Sequence, residues 1–154
     1  MKGAPEPGAR PRRTASPEEV AYLDLLRTTE MLSRPVSQLL KTEDLSPAQY
    51  NVLRILRGSP DGLTCREIGN RMITRDPDIT RLLDRLEKRK LIFRSRDDQD
   101  RRVVLTRITG VGLDLLARLD QPVRALHRRL LGPLGPERLL ALAQLLEACR
   151  SGLA

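Results

Sequence analysis

The chain has 154 residues, about the size of one domain, and a formal net charge of +8 with a sequence pI near 10.4. This charge predicts a polyanionic partner, nucleic acid first and an anionic membrane surface second, although an arginine-rich solvated surface also accounts for it. The aromatic residues are Tyr22, Tyr50 and Phe93, too few to build the stacking platforms that bind single strands or RNA. Duplex DNA is therefore the favoured partner.

Several other classes of protein are not favoured by the sequence. No apolar run is long enough to span a bilayer, and the basic N-terminus lacks the apolar segment of a secretory signal. Cys65 and Cys149 form no disulfide framework, and with the single His127 they do not supply an ordinary zinc site. Because no nucleophile–base pair, phosphate loop or metal cluster is recognisable, we expect neither an enzyme nor a cofactor, and we expect a cytoplasmic protein.

The chain begins with a segment rich in Pro, Gly and Arg. Residues 1–15 are predicted to be a disordered basic tail, because they carry too few apolar groups to offset the entropy of ordering. The first helix is predicted to start at Ser16 as N-cap, with Pro17 at its first position, and to run to about Lys41. Pro35 lies inside this pattern and predicts a kink.

The next two helices are also announced by their caps. Ser46 followed by Pro47 predicts the start of the second helix, which ends at "RGSPDG". Thr64 with Glu67 three residues later is a capping box, which predicts the start of the third helix. Cys65 falls on the apolar face of that helix, which indicates a small buried group.

A fourth helix is predicted over about 77–90, with Asp76 as N-cap and Pro77 at its first position. Its apolar residues have the helical spacing i, i+3, i+4, i+7; they are Ile79, Leu82, Leu83 and Leu86. Two short helices, at about 64–73 and 77–90, joined by a tight turn are typical of a helix-turn-helix, whose second helix enters the major groove.

The remainder of the chain predicts a β-hairpin and two further helices. "LIFRSR" and "RVVLTRI", separated by "DDQD", predict a two-stranded hairpin in the position of the wing of a winged helix. The last two helices, broken at "GPLGP", carry Leu on more than one face, which predicts an interface between chains. We expect a mostly α fold, with a DNA-binding lobe over 46–108 and a helical dimerisation platform formed by 16–45 and 109–154.

The order of these motifs resembles one family. The stretch "LTCREIGNRMITRDPDITRLLDRLEKRKLIFRSRDDQDRRVVLTRIT" contains the helix-turn-helix, then "LLDRLEKRKLI", then "DRR" before the second strand. On these motifs the chain resembles the MarR family of bacterial transcription regulators over about residues 20–150. The resemblance implies a winged helix-turn-helix lobe on a platform of N- and C-terminal helices. It also implies an obligate homodimer that binds a palindromic operator, with half-sites about one helical turn apart.

The resemblance also implies a repressor that releases DNA when a small aromatic or carboxylate ligand binds between platform and lobe. We expect such a cleft to be lined by the first helix, the second helix and the start of the fifth. The chain departs from the family at Lys90, where a Gly usually ends the recognition helix. Because a left-handed non-Gly residue costs about 1 kcal/mol, this departure leaves a different helix end open. The turn "ITRDP" is also one residue longer than the common form.

The predicted wing, 95–104, carries an acidic and arginine-rich tip. The family's Asp-x-Arg wing motif matches Asp100 and Arg102, and strand alternation predicts that Arg101 and Arg102 point to opposite faces. Asp100 is expected to hold a neighbouring guanidinium by a charge-assisted hydrogen bond. An arginine held in this way suits a narrow minor groove; the alternative is a surface ion-pair hairpin.

The recognition helix supplies the other candidate DNA contacts. Arg75, Asp78 and Arg81 are predicted to read base edges, because they lie in or next to its N-terminal turn. Phosphate contacts are predicted for Thr80, Arg85 and Arg96. The alternative is that some of these six residues only solvate the face.

Two other functions remain open from the sequence. A winged helix can also serve as a protein-binding module, but the basic recognition face favours DNA. Thiol-sensing members of the family place their reactive cysteine in the first helix, where this chain has none. A redox switch at Cys65 or Cys149 is therefore not favoured, and His127 is expected to be a surface or interface residue.

Overall fold

A computed structural model describes residues 15–153, so the predicted basic tail over 1–15 lies outside the described residues apart from Ala15. These residues form six α-helices, a two-stranded antiparallel sheet between the fourth and fifth helices, and a short 3-10 turn. This mostly helical fold with one hairpin confirms the predicted class. The elements are α1 (Pro17–Lys41), α2 (Pro47–Arg57), α3 (Cys65–Arg71), α4 (Ile79–Lys88), β1 (Ile92–Arg96), β2 (Val104–Ile108), α5 (Gly110–Leu131), the 3-10 turn Gly132–Leu134 and α6 (Pro136–Ser151).

The first three helices start where their caps predict. The Ser16 hydroxyl accepts the amide of Glu19 at 3.2 Å. Ser46 and Thr64 each form a complete capping box with the residue three positions later. These local hydrogen bonds satisfy amides that have no partner within the helix. α1 continues through Pro35 without a break, and the kink predicted there stays a prediction.

The sheet is extended by one residue that the sequence did not reveal. β1 and β2 pair with Ile92 opposite Ile108 and Arg96 opposite Val104. On the other side of β2, Leu63 and Thr106 exchange two backbone hydrogen bonds of 3.0 and 2.8 Å. The segment before α3 is thereby held against the wing, which joins the two halves of the lobe.

The core of the lobe is formed by α2, α3, α4, the sheet, the first half of α5 and the C-terminal end of α1. Its side chains are mostly leucines with almost no exposed surface. They include Leu40, Leu53, Leu56, Ile68, Leu83, Leu86, Ile92 and Leu116. Burial of this kind stabilises a domain by about 1.5–3 kcal/mol for each large side chain, so the core fixes how α4 and the sheet sit together.

The turn between α4 and β1 keeps the helix end that a glycine usually provides. Lys90 has a φ of 58°, in the left-handed region. Its amide bonds to the Glu87 carbonyl at 2.8 Å, and the amide of Leu91 bonds to the Leu86 carbonyl at 3.1 Å. This pair of bonds is a Schellman motif. The different helix end that the sequence left open is therefore not formed.

α5 begins directly against this turn. The amide of Thr109 donates to the Leu91 carbonyl at 3.0 Å, and the Thr109 hydroxyl donates to the Lys90 carbonyl at 2.7 Å. A Cβ on Gly112 would lie 2.4 Å from the Leu91 oxygen. Only glycine allows this approach, because any side chain would push the helix off the turn.

α1 and α6 leave most of their apolar side chains uncovered in a single chain. Leu40 is the buried residue of α1, and α6 has no buried residue in the range 136–151. The exposed fractions of Tyr22, Met31, Leu140 and Leu145 lie between 62% and 73%. None of the helices described between residues 15 and 153 has both the length and the apolar character needed to cross a membrane.

Lys90→Gly should raise the free energy of unfolding by about 1 kcal/mol, because glycine adopts a positive φ without the Cβ clash of an L-residue. Urea denaturation of both proteins measures the difference. Lys88→Gly is the matched control, since Lys88 lies in the last turn of α4 and glycine there should lower the stability by about 1 kcal/mol. Equal or lower stability of Lys90→Gly would show that the turn is not strained.

Candidate DNA interface

The recognition helix α4 begins two residues later than predicted. Asp78, not Asp76, is its N-cap, with its carboxylate accepting the amide of Arg81 at 3.3 Å. The Asp76 carboxylate instead accepts the amide of Asp78 at 2.9 Å, which closes an Asx turn around Pro77. The prediction of Asp76 as cap and of a helix over 77–90 is therefore wrong at both ends: the helix spans Ile79–Lys88.

α4 presents a basic face to solvent and an apolar face to the core. Leu82, Leu83 and Leu86 are buried, whereas Thr80, Arg81, Arg85 and Lys88 are exposed. The Arg81 guanidinium pairs with the Asp78 carboxylate at 3.1 Å, and 76% of its side chain remains exposed. Arg81 is therefore oriented at the start of the helix while its other donors stay available for a ligand.

The remaining candidate residues of this region make no such pair. Within residues 15–153, the side chains of Arg75, Thr80 and Arg85 form no hydrogen bond or ion pair. All three are exposed. They are placed on or beside the basic face, and their roles as base-edge or phosphate contacts stay predictions.

The wing tip is a closed turn and not a pair of extended strands. The Asp97 amide donates to the Val103 carbonyl and the Val103 amide to the Asp100 carbonyl, both at 2.9 Å. Arg101 and Arg102 lie in this turn, so the strand alternation predicted for them does not apply. The observed strands end at Arg96 and resume at Val104.

Asp100 holds backbone rather than a guanidinium. Its carboxylate accepts the amide of Arg102 at 3.0 Å, so the predicted charge-assisted bond to a neighbouring arginine side chain is not formed. The Arg96 guanidinium donates to the carbonyl of Arg101 at 3.3 Å. These bonds fix the backbone of the tip and leave the exposed side chains of Arg101 and Arg102 without an ion pair among the described residues.

Arg94 in β1 is a polar anchor that the sequence analysis missed. Its Nε donates to the Glu87 carboxylate at 3.0 Å, and its Nη2 donates to the Asp84 carboxylate at 2.6 Å as well as to Glu87. The available signal was strand alternation: Arg94 falls on the same face as buried Ile92 and Thr106, and an inward arginine requires acidic partners.

This cluster changes the ionisation of its members. The hydrogen bond from Arg94 holds the pKa of Glu87 below its usual range, against the opposing effect of partial burial. The same bonds to Glu87 and Asp84 raise the pKa of Arg94. Both shifts favour the charged forms of Glu87 and Arg94, and the ion pairs of Arg94 link the recognition helix to the wing.

Two recesses lie along α5, one against α2 of the lobe and one against α1. One, of about 130 Å³, lies between α2 and the middle of α5, with both polar and apolar walls; it is lined by Tyr50, Arg54, Arg57, Asp120, Val123, Arg124 and His127. Asp120 already holds Arg57 at 2.9 Å. The other, of about 410 Å³, lies between α1 and α5 and includes Pro35, Leu39, Leu126 and Arg129. The start of α5, which the sequence placed in the cleft, lines neither.

The cysteines and acidic groups add no metal or disulfide chemistry to this surface. Cys65 is half-buried against the core, and Cys149 is exposed; both are free thiols. Across residues 15–153, no group of three or more His, Cys, Asp or Glu side chains is placed to hold a metal ion. The chemistry on offer is that of exposed guanidinium groups on a rigid helix and wing.

A helix-turn-helix followed directly by a β-hairpin, with arginines on both, defines a winged-helix DNA-binding lobe. The sequence model of the MarR family matches residues 43–103. The crystal structure of a MarR transcription factor from Planctomyces limnophilus is 40% identical, with a TM-score of 0.67 over 88% of this chain and 99% of that chain. The chain belongs to the MarR family, which confirms the resemblance drawn from its motifs.

Two other family members resemble the chain at lower identity. The homoprotocatechuate degradative operon repressor of Escherichia coli is 25% identical over 80% of this chain and 82% of the repressor. The crystal structure of the S. aureus MepR–DNA complex is 27% identical to this chain, with a TM-score of 0.74 over 86% of this chain and 96% of that chain. The chain also matches two further transcription regulators, over 65% of the length of one and 90% of the length of the other.

The stabilisation that ionised Glu87 gives should depend on pH. Its pKa in the folded chain is lowered from the ordinary 4.5, so this stabilisation is complete above that value and is lost as the pH falls through the lowered one. Urea denaturation of the parent and Glu87→Gln between about pH 3 and about pH 7 tests this. The parent should be the more stable at neutral pH, and the difference should shrink in acid. A difference that does not change with pH would contradict the ion pair.

Proposed function

We propose that the chain is a homodimeric, sequence-specific DNA-binding regulator of transcription that acts as a repressor in the cytoplasm. The observation that carries the proposal is the surface formed by α4 and the wing. It presents exposed arginines on two elements that a buried core and the Arg94 ion pairs hold in fixed relation. A winged-helix module that binds protein has no need for such a basic surface, whereas a module that binds the phosphate backbone of DNA does.

In this proposal, α4 lies in the major groove and the wing in the adjacent minor groove. Arg81, oriented by Asp78, reads a base edge near the helix start, and Arg75 lies beside it. The Asp78 carboxylate already caps the helix and pairs with Arg81. A contact between Asp78 and a base would therefore have to be made by a carboxylate that keeps these two interactions. Thr80, Arg85 and Arg96 contact phosphates.

The wing arginines complete the proposed half-site. The closed tip turn holds the backbone at Arg101 and Arg102, while their side chains remain exposed. An arginine carried on a fixed backbone loses less entropy on entering a narrow minor groove, where the negative potential is strongest. Arg102 is the proposed groove contact, and Arg101 lies next to it in the turn.

The uncovered apolar residues of α1 and α6 support a dimer. The proposed platform consists of residues 16–45 and 109–154, and the lobe of residues 46–108. Tyr22, Met31, Leu140 and Leu145 are each more than half exposed in one chain, and an apolar surface of this kind marks an interaction site. A second copy that covers them would place two lobes on a two-fold axis, to match an inverted repeat with half-sites about 10 base pairs apart.

A small-molecule ligand is proposed to bind where platform and lobe meet. The recess between α2 and α5 offers Arg54 and Arg124 beside the Tyr50 ring, and its volume of about 130 Å³ limits the ligand to a carboxylate with a small aromatic or aliphatic body. Ligand binding there would act on α5, the helix that starts on the recognition-helix turn and continues into the platform. A shift of α5 changes the separation of the two lobes, and this is the proposed route to release from DNA.

Arg81→Ala should weaken binding to the selected operator by about 1–3 kcal/mol and relax the preference at one base position.

Arg102→Ala should weaken operator binding by an amount that depends on the A·T content beside the half-site, because a minor-groove arginine reads groove width. DNA selected by the purified protein from a random pool supplies the operators for titration. Arg27→Ala on α1 is the control and should bind like the parent. If Arg102→Ala binds like the parent on every operator, the wing does not enter the groove.

The double variant Leu140→Glu/Leu145→Glu should be monomeric at micromolar concentration, because charges on the apolar face of α6 prevent its burial against a second copy. Light scattering measures the mass, and circular dichroism checks that the helices remain. Ile73→Glu is the control: Ile73 is 85% exposed in the α3–α4 turn, outside the proposed platform, and its variant should stay dimeric. A parent that is monomeric would refute the platform.

A further inference from the structure

Two carboxylates lie on the helix that is proposed to enter the major groove. Asp84 and Glu87 are one turn apart on α4, interleaved with the exposed Arg81, Arg85 and Lys88. A negative charge close to DNA phosphates opposes binding, and it does so over a range of about 8–10 Å at physiological salt. The recognition helix therefore carries groups that weaken its own function unless their charge is balanced.

Arg94 is placed to balance both. Its guanidinium bonds to Glu87 at 3.0 Å through Nε and to Asp84 at 2.6 Å through Nη2, with a further Nη2 contact to Glu87. The Arg94 side chain is 28% exposed, less than that of Asp84 at 43% or Glu87 at 37%. The guanidinium is thus committed to the protein and turned inward, unlike the exposed arginines of the basic face.

The backbone of Arg94 is held by the same carboxylate. Arg94 lies opposite Thr106, whose amide and carbonyl both bond to Leu63. The amide of Arg94 therefore turns away from β2, and the Glu87 carboxylate accepts it at 3.0 Å. Glu87 thus satisfies the outer amide of β1 and the guanidinium together, and this fixes the distance between α4 and the wing strand.

We propose that Arg94 is a positioning residue that acts as the internal counter-ion of the recognition helix: it draws the negative charge of Asp84 and Glu87 toward the wing and does not itself contact DNA. The proposal rests on the proposed DNA-binding function. Removing Arg94 changes the cluster from one net negative charge to two, beside the phosphates. The two carboxylates would also lose the guanidinium that holds them, and β1 would keep only the backbone bond from the residue-94 amide to Glu87 as its polar tie to α4.

The test compares Arg94→Gln with the triple variant Asp84→Asn/Glu87→Gln/Arg94→Gln, in which the cluster is uncharged but keeps its shape. Binding to the selected operator is titrated by fluorescence anisotropy at several salt concentrations. Arg94→Gln should bind about tenfold more weakly at low salt, and the loss should shrink as salt rises, because repulsion is screened. The triple variant should recover parent affinity to within about threefold, because no carboxylate is left to repel DNA.

Two further variants separate this role from its alternatives. Arg85→Gln removes an exposed arginine of the same face, and it should bind more weakly with a salt slope lower by about one. Adding Asp84→Asn and Glu87→Gln to Arg85→Gln should restore less of the lost affinity than adding them to Arg94→Gln. Arg94→Lys keeps the charge but not the forked geometry and should fall between the parent and Arg94→Gln. Circular dichroism and light scattering establish that each variant is folded and keeps the parent's mass.

The outcomes decide the proposal. Recovery in the triple variant, with a screened loss in Arg94→Gln, supports it. If the triple variant binds as weakly as Arg94→Gln and both show a salt slope lower by about one, Arg94 contacts a phosphate and the proposal is wrong. If Arg94→Gln melts earlier but binds like the parent, Arg94 supports only the fold, which also overturns it. A parent that selects no duplex would instead overturn the proposed function.

Discussion

The turn at Lys90 and Leu91 is the point on which the arrangement of the molecule depends. It ends the recognition helix in a Schellman motif, begins the wing strand and supplies two carbonyls to Thr109 at the start of α5. Gly112 allows α5 to come close enough for these bonds. Because a helix, a strand and the helix that continues into the proposed platform all meet within two residues, a shift of any one moves the others.

Electrostatics then divides the arginines of the lobe into two kinds. Arg94 is half-buried and bonded to Glu87 and Asp84, so its charge serves the structure. Arg85 and Arg102 are exposed, with no ion pair among the described residues, so their charge is available to a polyanion. The net charge of +8 does not distinguish these two kinds of arginine. Binding depends on which guanidinium groups are unpaired and on which face of the lobe they lie.

The sequence by itself determined the elements that rest on local interactions. The starts of α1, α2 and α3 follow from Ser16, Ser46 and Thr64, because a cap bonds to an amide three residues away and needs no distant partner. The amphipathic spacing of α4 and the turn residues between the strands also predicted the winged helix, because both patterns involve residues close together in the chain. The order of these motifs indicated the MarR family, and the similarity to known MarR proteins confirmed it.

The tertiary structure corrected two local features and decided two others that depend on residues from different elements. Asp78 caps α4 although Asp76 precedes a proline, because the Asx turn at Asp76 delays the helix. Arg101 and Arg102 lie in a turn, because Asp100 and Val103 close the tip before strand pairing reaches it. The Leu63–Thr106 bridge and the Arg94 cluster join segments that local patterns do not connect. Spacing in sequence measures neighbours along a helix or strand, whereas the Leu63–Thr106 bridge and the Arg94 cluster form only after the core has packed the elements together.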